Sequence, residues 1–152
     1  QQALNVNKHT IEELNTFEEP EIVMEKFLKI LSPYENKGYF DRLIVGGYNV
    51  VFDINMLLNF FARVYHPNHK LDGNYWIYYT NFYKYIQNRH IDVMQLVPLV
   101  EKKIKIEFKS HKLEDVYKSF FPKETYEAHN ALSDIQMTIK LHKLFLRILE
   151  LT

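Results

Sequence analysis

The chain has 152 residues, of which 47% are hydrophobic and 25% charged, a composition typical of one soluble globular domain with a sizeable core. It contains no cysteine, which excludes disulfides, thiolate metal sites and cysteine nucleophiles. Basic and acidic residues are equal at 19 each, and this balance argues against a protein that coats nucleic acid through bulk positive charge. The sequence shows no signal peptide and no long apolar run, so we expect a cytoplasmic protein without membrane contact.

Charge is nevertheless unevenly spread along the chain. The beginning is acidic and a later segment is basic, and solvated surfaces are the simplest interpretation of both. The acidic residues are Glu12, Glu13, Glu18, Glu19, Glu21 and Glu25, and the basic ones are Lys102, Lys103, Lys105, Lys109 and Lys112.

Two helices are predicted near the start. Thr10 and Glu13 form a capping box, which predicts a short helix through Leu14. Pro20 suits the first turn of a second helix, which we expect to end near Ser32. Its apolar residues at helical spacing are Val23, Phe27, Ile30 and Leu31, and they are predicted to face the core.

The middle of the chain begins with an apolar run at residues 43–47, which is too short for a helix and predicts a buried strand. Tyr48 and Asn49 open a long helix that should end before Pro67. Its predicted core residues are Ile54, Leu57, Leu58, Phe61 and Val64. The segment 68–87 is ambiguous, because its aromatic residues fit a strand or a helix.

The last third alternates between strand and helix patterns. Residues 89–93 predict a strand that runs into a helix over 94–100, and residues 103–108 alternate like a half-exposed strand. A short helix is predicted at 113–120 and a long one at 130–149, with apolar Leu132, Ile135, Ile139, Leu146 and Leu149. Strands alternating with helices imply a layered α/β domain.

The first candidate site lies at residues 128–134, where His129 and Asp134 are five positions apart. On a continuous helix, residues at that spacing point about 140° apart. The two side chains can converge only if the helix begins after His129 and Asp134 lies near its first turn. A carboxylate to hold a cation and an imidazole to move a proton suit metal-assisted chemistry. A simple helix-cap hydrogen bond between the two is the alternative interpretation.

The second candidate site lies at residues 47–53. Asn49 and Asp53 are four apart and are predicted to share one face in the first turn of a helix. They follow the carboxyl end of a predicted strand, where α/β sheets usually place their sites. An aspartate that merely matches the helix dipole is the alternative.

Together these segments resemble a known family. The sequence reads Gly-Tyr-Asn-x-x-Phe-Asp at 47–53, Ile-Asp-Val at 91–93 and His-x-Ala-x-x-Asp at 129–134. This resembles the DEDDh family of 3′–5′ exonucleases, which includes the proofreading subunit of bacterial DNA polymerase III. Residues 3–14 also look like the family's segment after its third strand. The resemblance implies a ribonuclease H-like three-layer α/β fold, with residues 1–152 forming a single exonuclease-like domain.

The resemblance also implies roles for individual residues. Asp53 and Asp134 would bind two divalent ions, Mg²⁺ or Mn²⁺, and His129 would be the general base. The pocket for the terminal nucleotide would include Asn49, Phe52, Val6 and Asn7. Asp92 would support the fold, and Tyr48 stands where many members carry histidine. The implied reaction releases nucleoside monophosphates from the single-stranded 3′ end of DNA or RNA.

One family motif has no counterpart. The family's first strand carries Asp-x-Glu, and that tripeptide pattern occurs nowhere in the sequence. We therefore expect the sequence to be the C-terminal part of a complete domain, lacking its N-terminal strands and needing the preceding segment for full activity. That segment or a polymerase is the expected protein partner.

The competing hypothesis is a non-catalytic nucleic-acid-binding or interaction module on the same scaffold. An aromatic cluster could stack bases in such a module, although core packing is the simpler role. Its members are Tyr75, Trp76, Tyr78, Tyr79, Phe82, Tyr83 and Tyr85.

Overall fold

The structure is a computed structural model that describes residues 10–35, 37–65, 82–126 and 130–150. These residues divide into two compact units. The first, which we call the sheet unit, is built from residues 12–35, 37–45, 50–65 and 82–91. The second, the helical unit, contains residues 10–11, 46–49, 92–126 and 130–150.

The first two helices begin where the sequence predicts. Helix α1 spans Ile11–Leu14 and helix α2 spans Pro20–Leu31, with proline at its first position. The predicted buried face of α2 is partly wrong, because Val23 and Ile30 are 39% and 70% exposed. The helix is rotated by about one position, so that a neighbouring stripe packs into the core. That stripe consists of Met24, Phe27, Leu28 and Leu31.

The core of the sheet unit forms around helix α3, Val50–Tyr65. Its predicted core residues are confirmed: Leu58 and Phe61 are buried, and Ile54, Leu57 and Val64 are partly buried against the same cluster. The ring of Phe61 meets those of Phe27 and Phe82 edge-on, at centroid distances of 6.1 and 5.5 Å, a favourable geometry for aromatic pairs.

The aromatic residues at the end of the ambiguous segment belong to this core. Phe82 and Tyr85 are buried and Tyr83 is partly buried. Core packing, the simpler of the two roles considered for this cluster, is therefore confirmed for these three, because their rings are packed against protein. The other four aromatic residues of the predicted cluster lie outside the described residues.

Two strands form a small parallel sheet. Strand β1 spans Leu43–Gly47, the predicted bounds, but it is not buried as expected, since Ile44 is 49% exposed. Strand β2 spans Ile86–Asp92 and starts three residues earlier than the sequence pattern suggests. The earlier start of β2 is explained by its pairing with β1, because the Leu43 amide donates to the Tyr85 carbonyl at 3.0 Å. The buried Gln87 amide is satisfied as well, since its Nε2 donates to the Arg42 carbonyl.

The helical unit contains a 3-10 turn at Val93–Leu96 and three helices, α4 at Val97–Ile104, α5 at Leu113–Phe120 and α6 at Ala131–Ile148. The predicted bounds of the last two helices are confirmed. Their apolar faces enclose one core, whose buried members are Val93, Val97, Val100, Val116, Tyr117, Met137, Leu141 and Phe145.

The predicted strand at residues 103–108 is wrong. Helix α4 continues to Ile104, and Lys105 then adopts the left-handed conformation with φ 56° that ends the helix. The alternating pattern misled because Phe108 is held against Phe120, with ring centroids 5.5 Å apart, while Ile106 is 54% exposed. A segment that forms the end of a helix and an irregular loop thus has the polar and apolar alternation that is typical of a strand.

Helix α6 buries a different face from the one suggested by its branched residues. Met137, Leu141 and Phe145 are buried, whereas Leu132, Ile135 and Ile139 are 65%, 57% and 48% exposed. Within the ranges that the structure describes, no helix is long and apolar enough to cross a membrane.

Candidate functional site

The segment 47–53 does not form one continuous helical face, as the sequence suggested. Asn49 has a φ of 58° and precedes α3, whose first residue is Val50. Asparagine tolerates the left-handed region better than most residues, which explains its presence at this position. Its backbone N–H donates to the Asp92 Oδ1 atom at 2.9 Å. Asn49 is therefore fixed by a residue that lies 43 positions later in the chain.

Asp92 acts as the anchor of this segment. Only 9% of its surface is exposed, and its Oδ1 atom also accepts a hydrogen bond from the Met94 N–H at 3.0 Å, which caps the 3-10 turn. Two backbone donors thus satisfy one buried carboxylate oxygen. These contacts agree with the structural role that the sequence resemblance implies for Asp92.

Tyr48 links the same segment to a second loop. Its hydroxyl donates to the His111 carbonyl at 2.6 Å, and its half-buried ring packs against the core of the helical unit. Burial raises the pKa of the Tyr48 phenol well above its ordinary value, and the negative charges of Asp92, Asp115 and Glu101 raise it further. Tyr48 is therefore a neutral hydrogen-bond donor throughout the physiological range.

The loop that Tyr48 contacts is itself anchored by Glu101. One Glu101 oxygen accepts the Phe108 N–H at 2.8 Å, and both oxygens lie 3.1 Å from the His111 Nε2 atom. The Phe108 N–H, and next to it His111, hold the pKa of the Glu101 carboxyl below its ordinary value. Sequence reasoning missed this anchor, because nothing in the spacing of Glu101, Phe108 and His111 marks them as partners.

The candidate segment at residues 128–134, of which the structure describes 130–134, is fixed by local contacts at the start of α6. The Asn130 side chain accepts the N–H groups of Leu132 and Ser133 at 3.1 and 3.3 Å. This cap starts the helix after position 129, as the sequence analysis required, and confirms that Asp134 lies in the first turn. Asp134 as a residue is partly buried, and its backbone is held by Asn130 and Thr138.

The chain that leads toward this helix is also held in place. Glu124 accepts hydrogen bonds from the Tyr117 hydroxyl at 2.6 Å and from the Lys140 ammonium group of α6. These two donors hold the pKa of the Glu124 carboxyl below its ordinary value, with Lys140 making the larger contribution. Tyr126 packs edge-on against Tyr117 with ring centroids 5.9 Å apart. His129 itself lies outside the described residues.

The remaining predicted site residues differ in how far the structure describes them. Asp53 lies in the first turn of α3 and is exposed, and Phe52 beside it is 62% exposed. An exposed aromatic next to an exposed carboxylate is compatible with a ligand-contacting surface. Val6 and Asn7 lie outside the described residues.

The described residues match a magnesium or manganese site in donor type but not in donor number. Asp53 and Asp134 supply hard carboxylate oxygens of the kind that these ions prefer. Among residues 10–35, 37–65, 82–126 and 130–150, however, no group of three or more histidine, aspartate or glutamate side chains is placed to hold a metal ion. A pair of divalent ions would require further ligands.

Comparison with known proteins identifies the family. The sequence model of the exonuclease family of the RNase T type matches residues 6–142, which is most of the chain. No curated protein and no solved structure matches the chain significantly. The family's domain has a ribonuclease H-like fold, with which the mixed helices and small parallel sheet agree. The matched region includes both candidate segments in full, and the chain therefore belongs to the exonuclease family.

Proposed function

We propose that the protein is a metal-dependent 3′–5′ exonuclease that releases nucleoside monophosphates from a single-stranded 3′ end. The observation that carries this proposal is the presence of two family motifs in one matched region, Asn-x-x-Phe-Asp at 49–53 and His-x-Ala-x-x-Asp at 129–134. The first-turn positions of Asp53 and Asp134 support it, because each carboxylate is carried by a helix start and not by an irregular loop.

In this proposal each motif residue has one role. Asp53 and Asp134 hold the divalent ions, and His129 accepts the proton of the attacking water, for which an imidazole with a pKa near neutrality is suited. When bound, the two ions would activate that water and stabilise the leaving oxygen. Asn49 and Phe52, with Val6 and Asn7, would bind the terminal nucleotide.

The test is a gel assay on a single strand labelled at its 5′ end, in the presence of Mg²⁺ or Mn²⁺. A 3′–5′ exonuclease shortens the labelled strand one nucleotide at a time, whereas attack from the other end releases the label at once. We expect a ladder with the full-length wild-type protein and no ladder in EDTA.

Two variants assign the roles. Asp134→Ala removes a metal ligand and His129→Ala removes the base, and each should lower the rate at least about 100-fold. The matched control is Asp115→Ala, since Asp115 lies in the first turn of α5, as Asp134 does in that of α6, but is exposed. Unchanged activity in both motif variants would overturn the assignment. Strand binding without metal binding or cleavage would favour the non-catalytic module.

A further inference from the structure

The loop 105–112, which we call the basic loop, joins α4 to α5. It carries Lys105, Lys109 and Lys112 against one acidic residue, Glu107, in a chain whose formal net charge is zero. All three lysines are exposed. In the part of the chain that the structure describes, none of the three has a carboxylate within ion-pair distance. Their charge is therefore available to a partner.

Two of these lysines occupy backbone positions where folding favours other residues. Lys105 has a φ of 56°, a conformation that glycine or asparagine adopts at lower cost. Lys112 is the N-cap residue of α5, where serine, threonine, aspartate or asparagine is preferred and where a cation faces the positive end of the helix dipole. Local stability does not explain either lysine, and such departures from local preference are expected at functional positions.

Neighbouring lysines have ordinary structural explanations. Lys102 and Lys103 lie in the last turn of α4, where cations match the helix dipole. Lys103 also pairs with Glu150 at 2.9 Å. Lys102 and Lys103 thus need no ligand to explain them, in contrast to Lys105 and Lys112.

The basic loop is held in one conformation and is attached to a candidate motif. Glu101 accepts the Phe108 N–H, its backbone carbonyl accepts the Ile106 N–H at 3.2 Å, and Tyr48 donates to the His111 carbonyl. Tyr48 is the neighbour of Asn49 in the sequence. A preorganised loop loses little entropy when it binds a ligand. The backbone of the loop that carries these lysines is therefore hydrogen-bonded to the residue next to Asn49.

We propose that the basic loop binds the phosphate backbone of the substrate strand just upstream of its 3′ end, through Lys105, Lys109 and Lys112. The inference rests on the proposed exonuclease function, because the strand is taken to enter beside Asn49. Lysine ammonium groups contact phosphates without reading the base, so the loop provides affinity without sequence preference.

The experiment measures binding of a fluorescein-labelled dT12 strand by anisotropy in EDTA, over a range of NaCl concentrations. The test variant carries Lys105→Gln, Lys109→Gln and Lys112→Gln. The matched control carries Lys118→Gln, Lys123→Gln and Lys143→Gln, three exposed lysines of the same unit. Each lost phosphate contact on a single strand lowers the salt dependence of log K by ~0.7, so the slope should fall by about two in the test variant.

We expect at least about a tenfold weaker affinity at low salt for the test variant, and an affinity within about twofold of wild type for the control. Equal slopes for the two variants would overturn the inference. So would tighter binding of polyglutamate than of dT12, because that result would identify an acidic protein as the partner.

The ladder assay on the wild-type protein separates this inference from the proposed function. A ladder together with equal slopes would overturn phosphate binding by the basic loop and leave the proposed exonuclease function intact. A shallower slope in the test variant without any ladder would support strand binding by the loop and overturn the proposed function.

Discussion

Two helix starts carry the candidate carboxylates, and they are built in different ways. The start of α6 is made by Asn130, whose side chain caps amides two and three residues later. The start of α3 follows Asn49, which is bonded to Asp92 across 43 residues, and Tyr48, which is bonded to His111 across 63. Asp134 therefore lies in a helix whose start is fixed by local sequence. Asp53 follows a segment that is fixed by contacts distant in sequence.

This difference predicts that the two segments respond differently to mutation. A local cap contributes a modest and separable stability, whereas a tertiary anchor also holds the loops that it connects. The substitutions below sharpen the contrast, in order of decreasing expected effect.

Asp92→Ala should have the largest effect on stability. It removes a buried carboxylate that accepts two backbone N–H groups, and hydrogen bonds to charged groups are strong. We expect the free energy of unfolding in urea to fall by about 2–3 kcal/mol. Asp92→Asn keeps an acceptor oxygen and should lose less. If Asp92→Ala were as stable as the exposed control Asp115→Ala, the tertiary anchor would be disproved.

Asn49→Ala tests the left-handed backbone before α3. At a φ of 58° alanine is disfavoured by about 1–2 kcal/mol, and we expect this loss in the free energy of unfolding. The free energy of unfolding of Asn49→Gly should lie within about a few tenths of a kcal/mol of the wild-type value, because glycine adopts this conformation freely. Nuclease activity that falls in Asn49→Gly would then report on the amide side chain alone. Equal stability of the alanine and glycine variants would contradict the strained conformation.

Asn130→Ala tests the local cap of α6. Loss of an N-cap side chain costs about 1 kcal/mol, and urea unfolding should show that decrease. Asn130→Asp restores an acceptor and adds a charge that the helix dipole favours, so its stability should equal or exceed that of wild type. A decrease in Asn130→Ala larger than that in Asp92→Ala would reverse the proposed contrast between the two segments.

Glu101→Gln should have the smallest effect, and one that depends on pH. The Phe108 N–H and His111 lower the pKa of Glu101 below its ordinary value of 4.5 in the folded protein. A lowered folded pKa contributes stability that is present above the ordinary value and is lost as the pH falls through the folded value. The urea midpoint of wild type should therefore drop more steeply below about pH 5 than that of Glu101→Gln. Glu107→Gln is the control. An identical pH dependence of all three proteins would refute the role of Glu101 as the anchor of this loop.

The sequence predicted what depends on local chemistry. The bounds of α5 and α6, the strand at Leu43–Gly47 and the first-turn position of Asp134 all follow from caps, glycines and apolar spacing. The rotation of α2 could not be predicted, because the choice between adjacent apolar stripes depends on what packs against them. The strand expected at 103–108 failed for a related reason, since Phe108 is held by Phe120 and Glu101 and not by a neighbouring strand.

For the candidate site as well, local patterns could be predicted from the sequence and contacts between distant residues could not. Asp53, His129 and Asp134 were predicted from motif spacing and stay predictions as site residues. The structural role that the resemblance implies for Asp92 agrees with its two hydrogen bonds to backbone amides. The link from Tyr48 through His111 to Glu101 left no trace in the sequence, because its members are separated by 63 and 10 residues and are joined partly through a backbone carbonyl.

Metal binding by the two aspartates tests the central claim most directly. Isothermal titration of Mn²⁺ into wild type, Asp53→Asn and Asp134→Asn compares the two helix starts in one experiment. We predict that wild type binds Mn²⁺ and that each substitution weakens the affinity at least about tenfold, because each removes a carboxylate that we propose as a metal ligand. Mn²⁺ binding that is equally tight in all three proteins would contradict the assignment of Asp53 and Asp134 as ligands.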